Sequence, residues 1–212
     1  MIKTIKTTRY VDDETRQEYH FEPIEETIEL KQIEDGYELR YLTQDDGSES
    51  PDMYGDNSLF LVHYHRDFQV ENDLCPKNVL GYIYTENDAE YDKEGAEELL
   101  KTHYCFPVDA YIHSGITLSM SGGFHGRLSQ GHERFDVSHV GAVLVNKTEF
   151  KDKEEAEKAA LSLLQSWNEY LSGDVYCLVC EKLDKDKQQI DFDIVGGYSG
   201  LDYAKKCLKT EI

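Results

Sequence analysis

Tyr111-Ile-His-Ser-Gly-Ile-Thr-Leu-Ser-Met120 and Val140-Gly-Ala-Val-Leu-Val145 are the stretches whose reading decides the fold. Both are rich in the β-branched and aromatic residues that suit a strand withdrawn from water. Between them runs a loop with Gly122, Gly123, Gly126 and Gly131, and four of the eight histidines lie in this region: His113, His125, His132 and His139. Residues 107–150 carry a net charge of −1, against −10 over 1–56, −6 over 57–106 and −4 over 151–212. A near-neutral, strand-like segment inside so charged a chain is where the central sheet is expected. Tyr111–Met120 and Val140–Val145 are read as neighbouring strands in it.

Working outward, the most secure helix spans Asp152–Leu171. Asp152 with Glu155 resembles a capping box, glutamates crowd the first turn, and Gly173 follows the end. Ala156, Ala160, Leu163, Leu164, Trp167 and Leu171 form one apolar stripe at helical spacing, which predicts packing on the sheet through Leu163, Leu164 and Trp167. Thr27–Ile33 and Tyr37–Leu42 flank Asp35-Gly36, a hairpin signal, and each run alternates apolar with charged residues. Further hairpins are expected from Ile2–Tyr10 with Arg16–Phe21 and from Val175–Glu181 with Gln189–Val195. Leu59–Tyr64 and Val79–Tyr84 read as strands. Shorter helices are expected near 93–102, with Leu99 and Leu100 inward, and over 201–208. The fold class is therefore α+β, with a mainly antiparallel sheet. The turn-rich stretch Gln44–Asp56 suggests an N-terminal β-hairpin layer over 1–49 and an α+β core over 50–212.

The composition excludes several classes. At 39% apolar residues the 212-residue chain can build a core, and no apolar run approaches the roughly 20 residues that span a bilayer. Basic residues near Met1 lack an apolar stretch behind them, so no signal peptide is read. Five cysteines suit a reducing compartment. Cys177-Leu-Val-Cys180 has the spacing of a metal or redox pair, but it lies in a strand-like run, where residues three apart point to opposite faces. A formal charge of −21 disfavours direct nucleic-acid binding and suits attraction of a basic partner, including the nucleic-acid channel of another protein. Within the acidic first quarter, Glu25, Glu26, Glu29 and Glu34 are the candidate binding residues.

For chemistry, His65, His113 and Asp136 are the candidate catalytic residues, and His63, His65, His113 and His139 the candidate metal ligands. A hydrolytic metal site needs three such donors and an open position for water. The Ser121–Gly126 loop lacks the lysine and hydroxyl of a phosphate-binding loop. No resident cofactor is expected.

Tyr111-Ile-His-Ser-Gly-Ile-Thr117 resembles the Y-[DE]-H-S-G-[IL]-T motif of an uncharacterised family encoded by bacteriophages and other mobile elements. Phe135–Gly141 is similar to that family's C-P-W-D-S-G-Q-V-G segment, and Leu171–Tyr176 to its Y-L-T-G-D-V-Y-G segment. Asp56–Leu59 with His65–Phe68 looks like its D-N-L-G and W-H-R-R-Y block. Asp193 to Gly200 looks like its closing D-S-C-W-G-F-Y-G. The order is shared from about Ser50 to Tyr203. Ile112, Arg134, Phe135 and Gly196 depart from the motifs, which counts against a retained catalytic apparatus. The resemblance implies a mobile-element origin and action in the host cytoplasm. The leading expectation is a non-enzymatic accessory protein that binds and inhibits a host protein, in the manner of an anti-defence factor. The alternative is a metal-dependent hydrolase built on the His/Asp cluster.

Overall fold

The computed structural model describes residues 8–11, 18–51, 58–63, 83–84, 89–90, 100–128 and 136–210. In chain order the strands are β1 (Thr8–Val11), β2 (Glu18–Phe21), β3 (Glu29–Ile33), β4 (Gly36–Gln44), β5 (Leu59–His63), β6 (Ile83–Tyr84) and β7 (Ala89–Glu90). They continue with β8 (His103–Ile112), β9 (Ile116–Met120), β10 (Val137–Asn146), β11 (Val175–Leu183) and β12 (Gln189–Ser199). The helices are α1 (Lys153–Ser172) and α2 (Leu201–Lys209), with a 3-10 turn at Glu25–Thr27. The fold is α+β with antiparallel sheets, and contacts divide it into two units, 1–48 with 173–212, and 49–172.

The second unit holds a four-stranded sheet in the order β5-β10-β8-β9. Alternation along β8 sends Phe106, Val108 and Ala110 into one core with Leu61, Val140, Val143 and Val145. Onto that face packs α1, through Ala156, Ala160, Leu164 and Trp167, with Leu163 partly buried beside them. This is the stripe the periodicity predicts. Asp152 Oδ1 accepts from Glu155 N at 3.0 Å, while Glu155 reaches back to Lys151 N at 2.8 Å, so the start of the helix is capped on both sides. Asn168 ties the helix to the edge strand. Its Oδ1 accepts from Leu118 N at 2.7 Å and its Nδ2 donates to Leu118 O at 3.0 Å.

Two readings of this region need correction. Tyr111–Met120 is not one strand: it is the end of β8, a turn at His113-Ser114-Gly115 closed by His113 N to Gly115 O at 3.2 Å, and then β9. Val140–Val145 is consequently flanked by 104–108 and 59–63, with β8 lying between β10 and β9. Leu100 is also exposed rather than inward, at 46%. Leu99 and most of the helix expected near 93–102 lie outside the described residues, as does most of Val79–Tyr84.

The first unit holds a sheet in the order β12-β11-β4-β3. The hairpins around Asp35-Gly36 and Asp184–Lys187 form as expected, and β1 pairs with β2. Pairing of β4 with β11 joins the first 48 residues to 173–212, which the sequence reading had placed in separate segments. A Cβ at Gly36 would run into the Leu183 carbonyl oxygen, which is why glycine stands at this turn. One face packs Leu42 and Leu178 against Ala204 and Leu208 of α2. The other buries Leu39, Tyr41 and Val179, with Glu181 accepting from the Tyr41 hydroxyl at 2.8 Å. Among the described residues no helix is long and apolar enough to cross a membrane.

Candidate functional site

The histidine cluster is built on the face of the second sheet that points away from α1. Because Val108 and Ala110 point to the helix, Asp109 and Tyr111 point the other way. Cross-strand register sets Asp109 opposite His139 and Tyr111 opposite Val137. The His139 Nδ1 lies 3.3 Å from Asp109 Oδ1. The same carboxylate accepts from Ser121 Oγ at 2.7 Å and from Gly122 N at 3.0 Å, so Asp109 anchors the start of the glycine-rich loop. Just beyond the paired residues, Ile112 N donates to Asp136 O at 2.9 Å, and His113 Nδ1 lies 3.6 Å from Asp136 Oδ2. The Tyr111 ring stacks on His113 with centroids 6.2 Å apart and meets Phe124 of the loop at 6.1 Å.

The structure thus brings His113 and Asp136 together, as the sequence reading requires, and gives His139 a different carboxylate. Asp109 was missed. Its partners lie 12 to 30 residues away in sequence, and no spacing rule connects them. The backbone of His63, the last residue of β5, pairs with Gly141 on β10, while His65 lies outside the described residues. Among the described residues no group of three or more His, Cys, Asp and Glu side chains is arranged to hold a metal. Both histidines of the strip are substantially exposed, and the Ser121 hydroxyl donates to the Asp109 carboxylate that also faces His139.

No family model, curated protein or solved structure matches the chain.

The acidic residues form a second candidate surface, on the first sheet. Thr27 Oγ1 accepts from Leu42 N at 3.0 Å and donates to Ile24 O at 2.7 Å, while Ile24 N donates to Leu42 O at 2.8 Å. These bonds stitch the short turn to the end of β4 and leave Glu25 and Glu26 outside. Glu29 stands on β3 and Glu34 in the following turn, and all four carboxylates are exposed. Glu26 comes within 3.7 Å of Lys205, an exposed pair of little energetic weight. Glu29 also lines a hollow of about 160 Å³ with Lys31, Glu38, Arg40, Leu208 and Lys209. Its charges face one another across the strands, Glu29 beside Arg40 and Lys31 beside Glu38. Arg40 Nε stands 2.7 Å from Glu38 Oε1.

Among the described residues the cysteines take part in no group that could hold a metal. Cys177 and Cys180 are free thiols on β11. Burial, with Asp45 beside it, pushes the Cys177 thiol up to about 12, and burial also raises Cys180. Neither is poised as a thiolate at neutral pH.

Proposed function

We propose that this chain is an acidic accessory protein of a bacteriophage or mobile element that binds and inhibits a host protein. The natural targets are a defence factor or a nucleic-acid-binding factor, and the chain itself does not bind nucleic acid directly. One observation carries the reading: Glu25, Glu26, Glu29 and Glu34 are exposed together on one turn-strand-turn segment of the most acidic part of the chain. An anionic surface steers a cationic partner and raises its association rate. The motif resemblance to mobile-element proteins supports the host setting, and the departures from those motifs at Ile112, Arg134, Phe135 and Gly196 support a role other than catalysis.

The test is affinity purification from host lysate at low and high salt, with wild type and with Glu25, Glu26, Glu29 and Glu34 all changed to glutamine. A stoichiometric partner that is lost at high salt and in the glutamine variant is expected. A partner retained equally by both proteins contradicts the reading.

A metal-dependent hydrolase is the second reading, favoured by the His113–Asp136 pair at 3.6 Å. It requires further ligands, with His65 and His63 the nominees. Bound metal that survives purification, together with a fall in Tm on chelation, would support it over the first.

A further inference from the structure

Among the described residues the first sheet ends at two edges, β12 and β3. An edge strand presents a row of backbone N–H and C=O groups on its outer side, and another chain can pair with them. Among the described residues β3 pairs only with β4, over Glu29–Ile33 and without a register shift, so its outer side is a regular template. Residues 29–32 are all exposed, Leu30 among them at 38%. From position 22 to 35 the exposed carboxylates are Glu22, Glu25, Glu26, Glu29, Glu34 and Asp35, against the single cation Lys31.

We propose that the outer edge of β3 accepts an extended, cationic segment of the partner protein as a fifth strand of this sheet. The inference rests on the acidic-binder reading and adds the mode of binding. Charge decides the occupant. A second copy of this chain would bring the same carboxylates against one another, and like charges across a strand pair repel. A lysine- or arginine-rich strand meets them with opposite sign, while its backbone takes up the edge hydrogen bonds. The edge at β12 is a poorer template. Register shifts fall between Tyr176 and Leu178 and between Lys182 and Leu183 on its neighbour, and Gly197 sits at φ +80°. Such irregularities twist an edge away from further pairing. Its Asp191 is already held by Lys182 at 3.0 Å.

The experiment uses the full chain and two fluorescent peptides of equal charge, both alternating Arg or Lys with Val or Thr. One is unmodified and the other is N-methylated on alternate residues, which keeps the charge and removes the donors. Anisotropy titrations at low salt should show the unmodified peptide binding more tightly by about tenfold or more, since each net hydrogen bond is worth up to about tenfold. The four-glutamine variant should weaken both peptides. Amide exchange should slow at Leu30 and Gln32 when the unmodified peptide is bound. Equal affinity of the two peptides, or protection on β12 instead of β3, overturns strand addition. In that case weakening by the glutamine variant still upholds the acidic-binder reading. If neither peptide binds at low salt, or the glutamine variant binds both as wild type does, both ideas fall.

Discussion

Strand β10 and strand β3 sit at opposite extremes of sheet architecture. Between two neighbours, β10 buries six residues in succession, Val140–Val145, whereas β3 at an edge buries none of its five. The chain places its charge accordingly. Residues 107–150, which hold β9, β10 and the last six residues of β8, carry a net charge of −1, whereas residues 1–56, which hold β3, carry −10. Position within a sheet thus separates residues that hold the fold from exposed residues, where the proposed partner would bind. Substitutions on the β10 side should act on stability and those on the β3 side on association.

The strongest way to break that division is at the helix that covers β10. Trp167 and Leu164 are buried in the shared core, so Trp167→Ala should destabilise the protein by about 3–5 kcal/mol and Leu164→Ala by about 2–5 kcal/mol. An unchanged melting temperature in either variant would mean that α1 is not docked on the sheet as described. Asn168→Ala comes next. It leaves both backbone groups of Leu118 without their side-chain partner, a loss of about 1–3 kcal/mol, read by denaturant unfolding. Asn168→Asp should recover part of this, because one acceptor remains.

A smaller effect is expected in alkali, in the first sheet. Burial holds both Cys177 and Tyr176 up to about 12, from ordinary values of 9.0 and 10.0, with Asp45 and Asp174 adding to the shift. As pH rises above about 9 the unfolded chain loses these protons before the folded one, so folding stability falls through the window from 9 toward 12. In the native protein at pH 8 Cys177 should react with a thiol reagent far more slowly than after unfolding. Fast labelling of native Cys177 would show that this thiol is neither buried nor protonated as described.

These contrasts also explain what the sequence makes legible. The periodic stripe of α1 and the apolar run of β10 are visible because one side-chain period repeats without interruption. The first eight residues of β8, His103–Ala110, are not read as strand from the sequence, and they carry Pro107, a residue that argues against a strand with neighbours on both sides. The structure resolves this locally. Pro107 O accepts from Ser121 N at 2.8 Å, so the proline turns its backbone toward β9, whose pairing with β8 ends at Met120 opposite Val108. The missing N–H falls where the ladder has already stopped. At the histidine strip, residue type was enough to nominate His113 and Asp136. Their meeting depends on the turn after β8 and the pairing of Ile112 with Asp136, neither of which a one-dimensional pattern contains. Charge alone was enough to nominate Glu25, Glu26, Glu29 and Glu34, and all four are exposed, but the apolar face that alternation assigns to this strand does not form, since Leu30 is exposed at 38% as well.

The smallest expected effect on stability is also the sharpest test of the comparison. Changing Glu25, Glu26, Glu29 and Glu34 to glutamine should move folding stability by no more than about 0.5 kcal/mol, since all four side chains are exposed. The decisive measurement is the association rate of this variant with the stoichiometric partner recovered from host lysate, followed by stopped flow across a range of salt. The account predicts a rate lower by about tenfold or more at low salt and a flatter salt dependence than wild type, with dissociation changed less. It also predicts wild-type association for His113→Ala with Asp136→Ala, provided the fold is kept. An unchanged rate in the glutamine variant, or binding abolished by the His113 and Asp136 changes in a folded protein, would contradict it.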